Sequence, residues 1–117
     1  MTNPLRGEVL VELAGEEYKA RLNIDAIMNL EQQLGMGIVK LMMNMSEANV
    51  RITDLVAILV AALRGGGNDV KDAEVKAIVT KAGLMQTTQV VSELLAAVVS
   101  SSDDSSEDSE SAKKKED

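Results

Sequence analysis

Carboxylates are the most reactive side chains this sequence offers, and their spacing suits structure better than chemistry. Asp69 and Asp72, with Glu74 beyond, raise the idea of a calcium loop. A common calcium loop alternates Asp or Asn ligands and closes on a Glu, and that alternation is missing here. Capping of a helix by Asp69 or Asp72 accounts for the pair more simply. Glu16 and Glu17 sit together at a turn, where a solvated pair is the default. Acid–base work by two carboxylates needs a concave pocket with converging polar groups, and nothing in the sequence implies one. The run Gly65-Gly66-Gly67 invites a phosphate reading. A phosphate loop, however, carries Gly-Lys-Ser/Thr at the start of a helix. Here Asn68-Asp69 follows, and the aspartate would repel an anion. The run reads as a loop or helix stop.

The absences point the same way. The chain has no His, Cys, Trp or Phe, and Tyr18 is its only aromatic residue. The usual proton shuttle at neutral pH, the thiolate nucleophile and the soft metal ligand are all missing. The expectation is a protein that is not an enzyme, with no cofactor and no metal, working by presenting surface to other proteins. A net charge of −7 argues against nucleic acid, whose phosphates need a basic footprint. The longest apolar run, residues 55–63, has nine residues against the roughly 20 a membrane helix needs, so no membrane partner is expected. Met-Thr-Asn-Pro at the start carries no apolar signal core, and the lack of cysteine suits a cytoplasmic location.

Charge and composition divide the chain at residue 99. Residues 100–117 hold seven serines, seven acids and three lysines, with Ala112 as their only apolar residue. Such a segment buries too little surface to offset its ordering entropy and is expected to be a disordered acidic tail. Residues 1–99 form the expected folded domain.

Within that domain the hydrophobic period changes from two to 3.6. Val9, Val11 and Leu13 alternate with Glu8 and Glu12, and Tyr18, Ala20 and Leu22 with Lys19 and Arg21. Ala14-Gly15 between them predicts a β-hairpin. A two-residue loop pairs Val11 with Tyr18, whereas a four-residue loop pairs Leu13 with Tyr18. Helical spacing then takes over. A first helix is capped by Asn23, carries Ile24, Ile27, Leu30 and Leu34 inward, and ends at Gly35. A short second helix over 37–45 turns Ile38, Leu41, Met42 and Met45 to the core. A third, capped by Thr53, is apolar nearly all round and should be the central one. A fourth carries Val75, Ile78, Val79 and Ala82 and stops at Gly83. A fifth covers about 84–99, with Val91, Leu94, Leu95 and Val98 as its main face. The fold class is therefore α+β: an N-terminal hairpin packed on a bundle of about five helices.

Two places leave apolar side chains over. Val39 and Met43 lie four apart on the second helix, off its core stripe, and Val90 and Val99 widen the fifth helix beyond its main face. Residues 36–45 also hold four of the seven methionines, a flexible and polarizable side chain that recurs where partners are accommodated. Val39, Met43, Val90 and Val99 are the candidate partner-binding residues.

Several short motifs occur in a telling order: Leu5-Arg6-Gly7-Glu8-Val9, Tyr18 with Arg21-Leu22, Leu30-Glu31 with Leu34-Gly35, Asp54-Leu55, and Leu63-Arg64-Gly65-Gly66-Gly67. This pattern resembles the small tail protein family of gene transfer agents and related siphophages, over about residues 4–99. Asn23 stands where the family pattern has Thr, and both residues cap helices. The acidic tail lies outside the pattern. The family is described both as a tail tube protein and as a tail assembly chaperone. The resemblance implies a non-enzymatic role in building a phage-type tail. As a chaperone the chain would bind the tape measure protein in the host cytoplasm, keep its apolar helices soluble, and help recruit the major tail protein for tube polymerisation. It would then be absent from the finished particle. Self-association into a homo-oligomer would use the same surfaces. As a structural tube subunit it would instead stay in the particle. One hairpin against five helices favours the chaperone, because a tube subunit is expected to line its ring with strands.

Overall fold

The computed structural model describes residues 8–107, and their side chains as far as Val99. Two strands, β1 (Val9–Leu13) and β2 (Glu16–Ala20), come first. Five helices follow: α1 (Ile24–Leu34), α2 (Ile38–Ser46), α3 (Ile52–Gly65), α4 (Asp72–Ala82) and α5 (Leu84–Glu107). This is the α+β arrangement expected, with the hairpin at the N-terminus.

The hairpin closes through the tighter of the two loops that alternation allowed. Val11 pairs with Tyr18 and Leu13 with Glu16. Ala14 and Gly15 have φ of 55° and 83°, the pair of positive values that a two-residue turn matching strand twist requires. Ala14 holds this backbone while its N–H donates to Gln86 Oε1 of α5 at 3.1 Å. Val11, Leu13 and Ala20 are buried under the sheet, while Leu10 faces solvent.

The apolar girdle of α3 places it at the centre. Leu55, Ile58, Leu59, Ala62 and Leu63 are all buried, and α1, α4, α5 and β2 pack around them. Each of the Leu and Ile side chains among them contributes about 2 kcal/mol through surface removed from water. One arc of α3 stays open, however. Val56, Ala57 and Ala61 are only partly buried and floor a shallow groove beside Gln33 of α1 and Lys76 of α4.

Two of the three glycines at the end of α3, Gly65 and Gly66, serve packing. The backbone of β2 crosses the end of α3 so closely that a Cβ on Gly65 would meet the Arg21 carbonyl, and one on Gly66 the Lys19 carbonyl. The crossing is stitched by main-chain groups. Arg21 N–H donates to the Ala62 carbonyl at 2.9 Å. The Asn68 side-chain amide donates to the carbonyls of Lys19 at 2.7 Å and Leu63 at 3.0 Å.

Helix starts follow the expected chemistry in one case and depart from it in two. Asn23 caps α1, its side chain accepting from Ala26 N–H at 2.8 Å, and Gly35 ends the helix in the left-handed conformation at φ 77°. Thr53 does not cap α3, because Arg51 is the N-cap and the helix begins at Ile52. Neither Asp69 nor Asp72 caps α4; the N-cap is Lys71, whose N–H donates to the Glu74 carboxylate at 2.8 Å. Ile24, expected inside, is exposed, since α1 rests chiefly on α3 and its first turn overhangs.

The backbone of α5 stays helical past residue 99, where composition places the start of the tail, and reaches Glu107. The remainder of the expected tail, residues 108–117, lies outside the described residues.

Candidate partner-binding surface

The short helix α2 is held at its start by a polar contact and along one side by α5. Ile38 N–H at its start donates to Glu31 Oε2 of α1 at 2.9 Å, which satisfies one of the unpaired donors of a helix N-terminus. Leu41 and Met45 are buried beneath it, and Ile38 and Met42 pack against the core edge. With that stripe turned inward, the helical period turns Val39 and Met43 outward, where they are 65% and 58% exposed.

The fold brings Val39 and Met43 together with Val99 from the distant end of the domain. Val39, Met42, Met43, Ser46, Glu47 and Val99 line an open, mainly apolar depression of about 460 Å³ between α2 and α5. A second hollow between the same two helices, lined by Met42, Met45, Ser46, Ser92 and Leu95, shares two of these residues. The result is one apolar trough with methionines along its α2 wall. Methionine has three rotatable bonds and no branch, so such a wall can reshape around different apolar side chains.

Val90 does not belong to this surface. It is 5% exposed and part of the core. Counting only its main stripe, α5 had a face to spare at Val90. The helix is in fact flanked by α2, α3, α4 and β1, so its buried arc is wider than one stripe. Sequence reasoning also missed the exposed pair Leu84 and Met85, which line a shallow apolar hollow at the start of α5. Their position just after Gly83, off the main stripe of α5, was the available signal.

The carboxylates and glycines that suggested chemistry are occupied elsewhere. Asp72 forms an ion pair with Arg64 at 3.4 Å, and Glu74 accepts from Lys71. Arg64 also donates through Nε to the Val70 carbonyl at 2.9 Å, tying the end of α3 to the start of α4. Glu16 and Glu17 are exposed, and Glu17 faces Glu12 across the hairpin. Among the described residues no group of three or more His, Cys, Asp or Glu side chains is placed to hold a metal. The buried acid is Asp54, which accepts two bonds from the Arg51 guanidinium, from Nη2 at 2.9 Å and Nε at 3.1 Å. That pairing, through the hydrogen bond first and the charge second, pushes the Arg51 guanidinium above its ordinary range.

A family model described as phage tail tube protein, GTA-gp10, matches residues 6–101. The chain belongs to this family. It is therefore a protein of phage-type tails and gene transfer agents, as the motif order in the sequence implied. The match spans both strands and the apolar part of α5, so the trough between α2 and α5 lies wholly inside the family region. No curated protein and no solved structure matches the chain. Among the described residues no single helix is long and apolar enough to cross a membrane.

Proposed function

We propose that the chain is a non-enzymatic tail assembly chaperone that binds the tape measure protein through the trough between α2 and α5. The observation that carries this reading is the exposure of Val39, Met43 and Val99 around one apolar depression. An amphipathic helix laid into such a groove buries its apolar face, and flexible methionine walls tolerate a repetitive, imperfect series of side chains. A tape measure protein offers long apolar helices of that kind. By covering them in the host cytoplasm the chaperone keeps them soluble and presents them to the major tail protein, then departs before the particle is complete.

The element content supports the same reading. A subunit that closes a β-lined ring needs strands enough to pair with its neighbours, and the described residues form two strands and five helices. The alternative is a structural tail tube subunit retained in the particle, and the family's own description favours it. Co-expression with the tape measure protein, followed by pulldown and quantification of the chain in purified particles, separates the two. Binding without incorporation supports the chaperone. Stoichiometric presence in particles supports the tube subunit.

A further inference from the structure

The hairpin has two edges, and the fold closes only one of them. The β2 side is tied to the rest of the fold: just past the strand the Arg21 N–H donates to the Ala62 carbonyl of α3, and the Lys19 carbonyl accepts from the Asn68 side chain in the loop after it. Along β1 the register puts Val9, Val11 and Leu13 in hydrogen-bonded pairs with β2, so Leu10 and Glu12 direct their N–H and C=O groups away from the sheet. No described residue meets them. Leu10 is 62% exposed and Glu12 is also exposed.

An open edge is a template for another strand, and proteins usually guard it. The guards here are acidic. Glu8 and Glu12 flank Leu10 on the outer face of β1. A second copy of β1, paired antiparallel about Leu10, would set Glu8 against Glu12 and Glu12 against Glu8. Like charges directly opposite are destabilising, so the edge rejects its own kind. A strand with basic side chains at the two flanking positions and an apolar one between them meets opposite charges and the exposed Leu10. Short length, an acid–Leu–acid row and unpaired main chain therefore select for one class of occupant.

We infer that the free edge of β1 is a docking site for an extended basic segment of another polypeptide, one that carries Lys or Arg, an apolar residue and Lys or Arg at every second position and adds as a third strand. Main-chain bonds to Leu10 and Glu12 hold it, and Glu8 and Glu12 choose it. The site is separate from the trough between α2 and α5 and does not depend on what fills that trough.

The test is amide hydrogen exchange on the full chain with two probes, the seven-residue peptide Thr-Lys-Thr-Val-Thr-Lys-Thr (the Lys–Val peptide) and its counterpart with Glu in place of each Lys (the Glu–Val peptide). The Lys–Val peptide should slow exchange at Leu10 and Glu12 by about tenfold or more, bind about tenfold tighter than the Glu–Val peptide, and weaken as salt is raised. Leu10→Pro removes one docking N–H without breaking a bond to β2, and should abolish the protection at Glu12. Should that variant fail to fold, the double variant Glu8→Lys/Glu12→Lys decides, because its preference must switch to the Glu–Val peptide. The inference is overturned by equal binding of the two peptides, by protection confined to other residues, or by protection of Leu10 and Glu12 that appears on raising the protein concentration alone.

Discussion

Gly66 lies directly under the carbonyl of Lys19, so close that no side-chain carbon fits between the end of α3 and β2. Gly67, the next residue, has open space around its Cα and a φ of 97°. The two substitutions to alanine should therefore differ in kind. Gly66→Ala drives backbone against backbone and should cost about 2–3 kcal/mol, whereas Gly67→Ala carries only the strain of a positive φ, about 1 kcal/mol. Denaturant midpoints of the two variants check the order. A Gly67→Ala variant less stable than Gly66→Ala would contradict the close crossing.

Arg51 and Asp54 form an unequal pair, with side chains 66% and 3% exposed. Arg51→Met leaves a buried carboxylate without its cation and should lower the denaturant midpoint. The same change in an Asp54→Leu background should have little effect, and a double-mutant cycle reads the difference. The pH dependence has a definite sign. The partner raises the folded-state pKa of Arg51. Its stabilisation is thus complete below the unfolded value and is lost only as pH rises through the folded value, above the usual guanidinium range. The pair's contribution should be flat across neutral pH, and a stability slope there that vanishes in Arg51→Met would refute this.

Thr87 is wholly buried, and its hydroxyl has no hydrogen-bond partner among the described residues. Valine keeps the shape and the branched Cβ while removing the unpaired hydroxyl. Thr87→Val should raise stability by about 1 kcal/mol. A loss of stability would mean that the hydroxyl is bonded in solution.

Caps separate what the sequence and the structure each say. Asn23→Ala removes a bond to Ala26 N–H and should cost about 1 kcal/mol, while Thr53→Ala, inside the first turn of α3, should stay within about 0.5 kcal/mol. Thermal or chemical denaturation of the two variants measures both.

Legibility followed how local each cause is. Alternation narrowed the hairpin to two registers, because a slip by one residue would have turned every apolar side chain outward, and the fold takes the one that pairs Val11 with Tyr18. The outward pair Val39 and Met43 was readable for the same reason, since helical period alone separates it from Leu41 and Met45. Features set by a competing side-chain pairing or by distant neighbours were not readable. Thr53 looks like a cap in sequence, yet the Arg51 and Asp54 side chains join across the first turn of α3 and the helix starts one residue before Thr53. Val90 looked spare until four elements closed around α5, and Ile24 looked buried until α1 proved to rest on one neighbour. The glycine run was read as a stop, which Gly66 is, but its real constraint is the passage of β2 across it. The pairing of Val99 with Met43 in one trough needed the whole fold, although both residues had been singled out separately.

The most direct test of the account is capture of co-expressed tape measure protein by the wild-type chain and by Met43→Asp. Met43 is 58% exposed, so the substitution should leave thermal stability nearly unchanged. It also sets a charge in the apolar trough, so capture should fall by about tenfold or more. Equal capture by a folded Met43→Asp chain would contradict it.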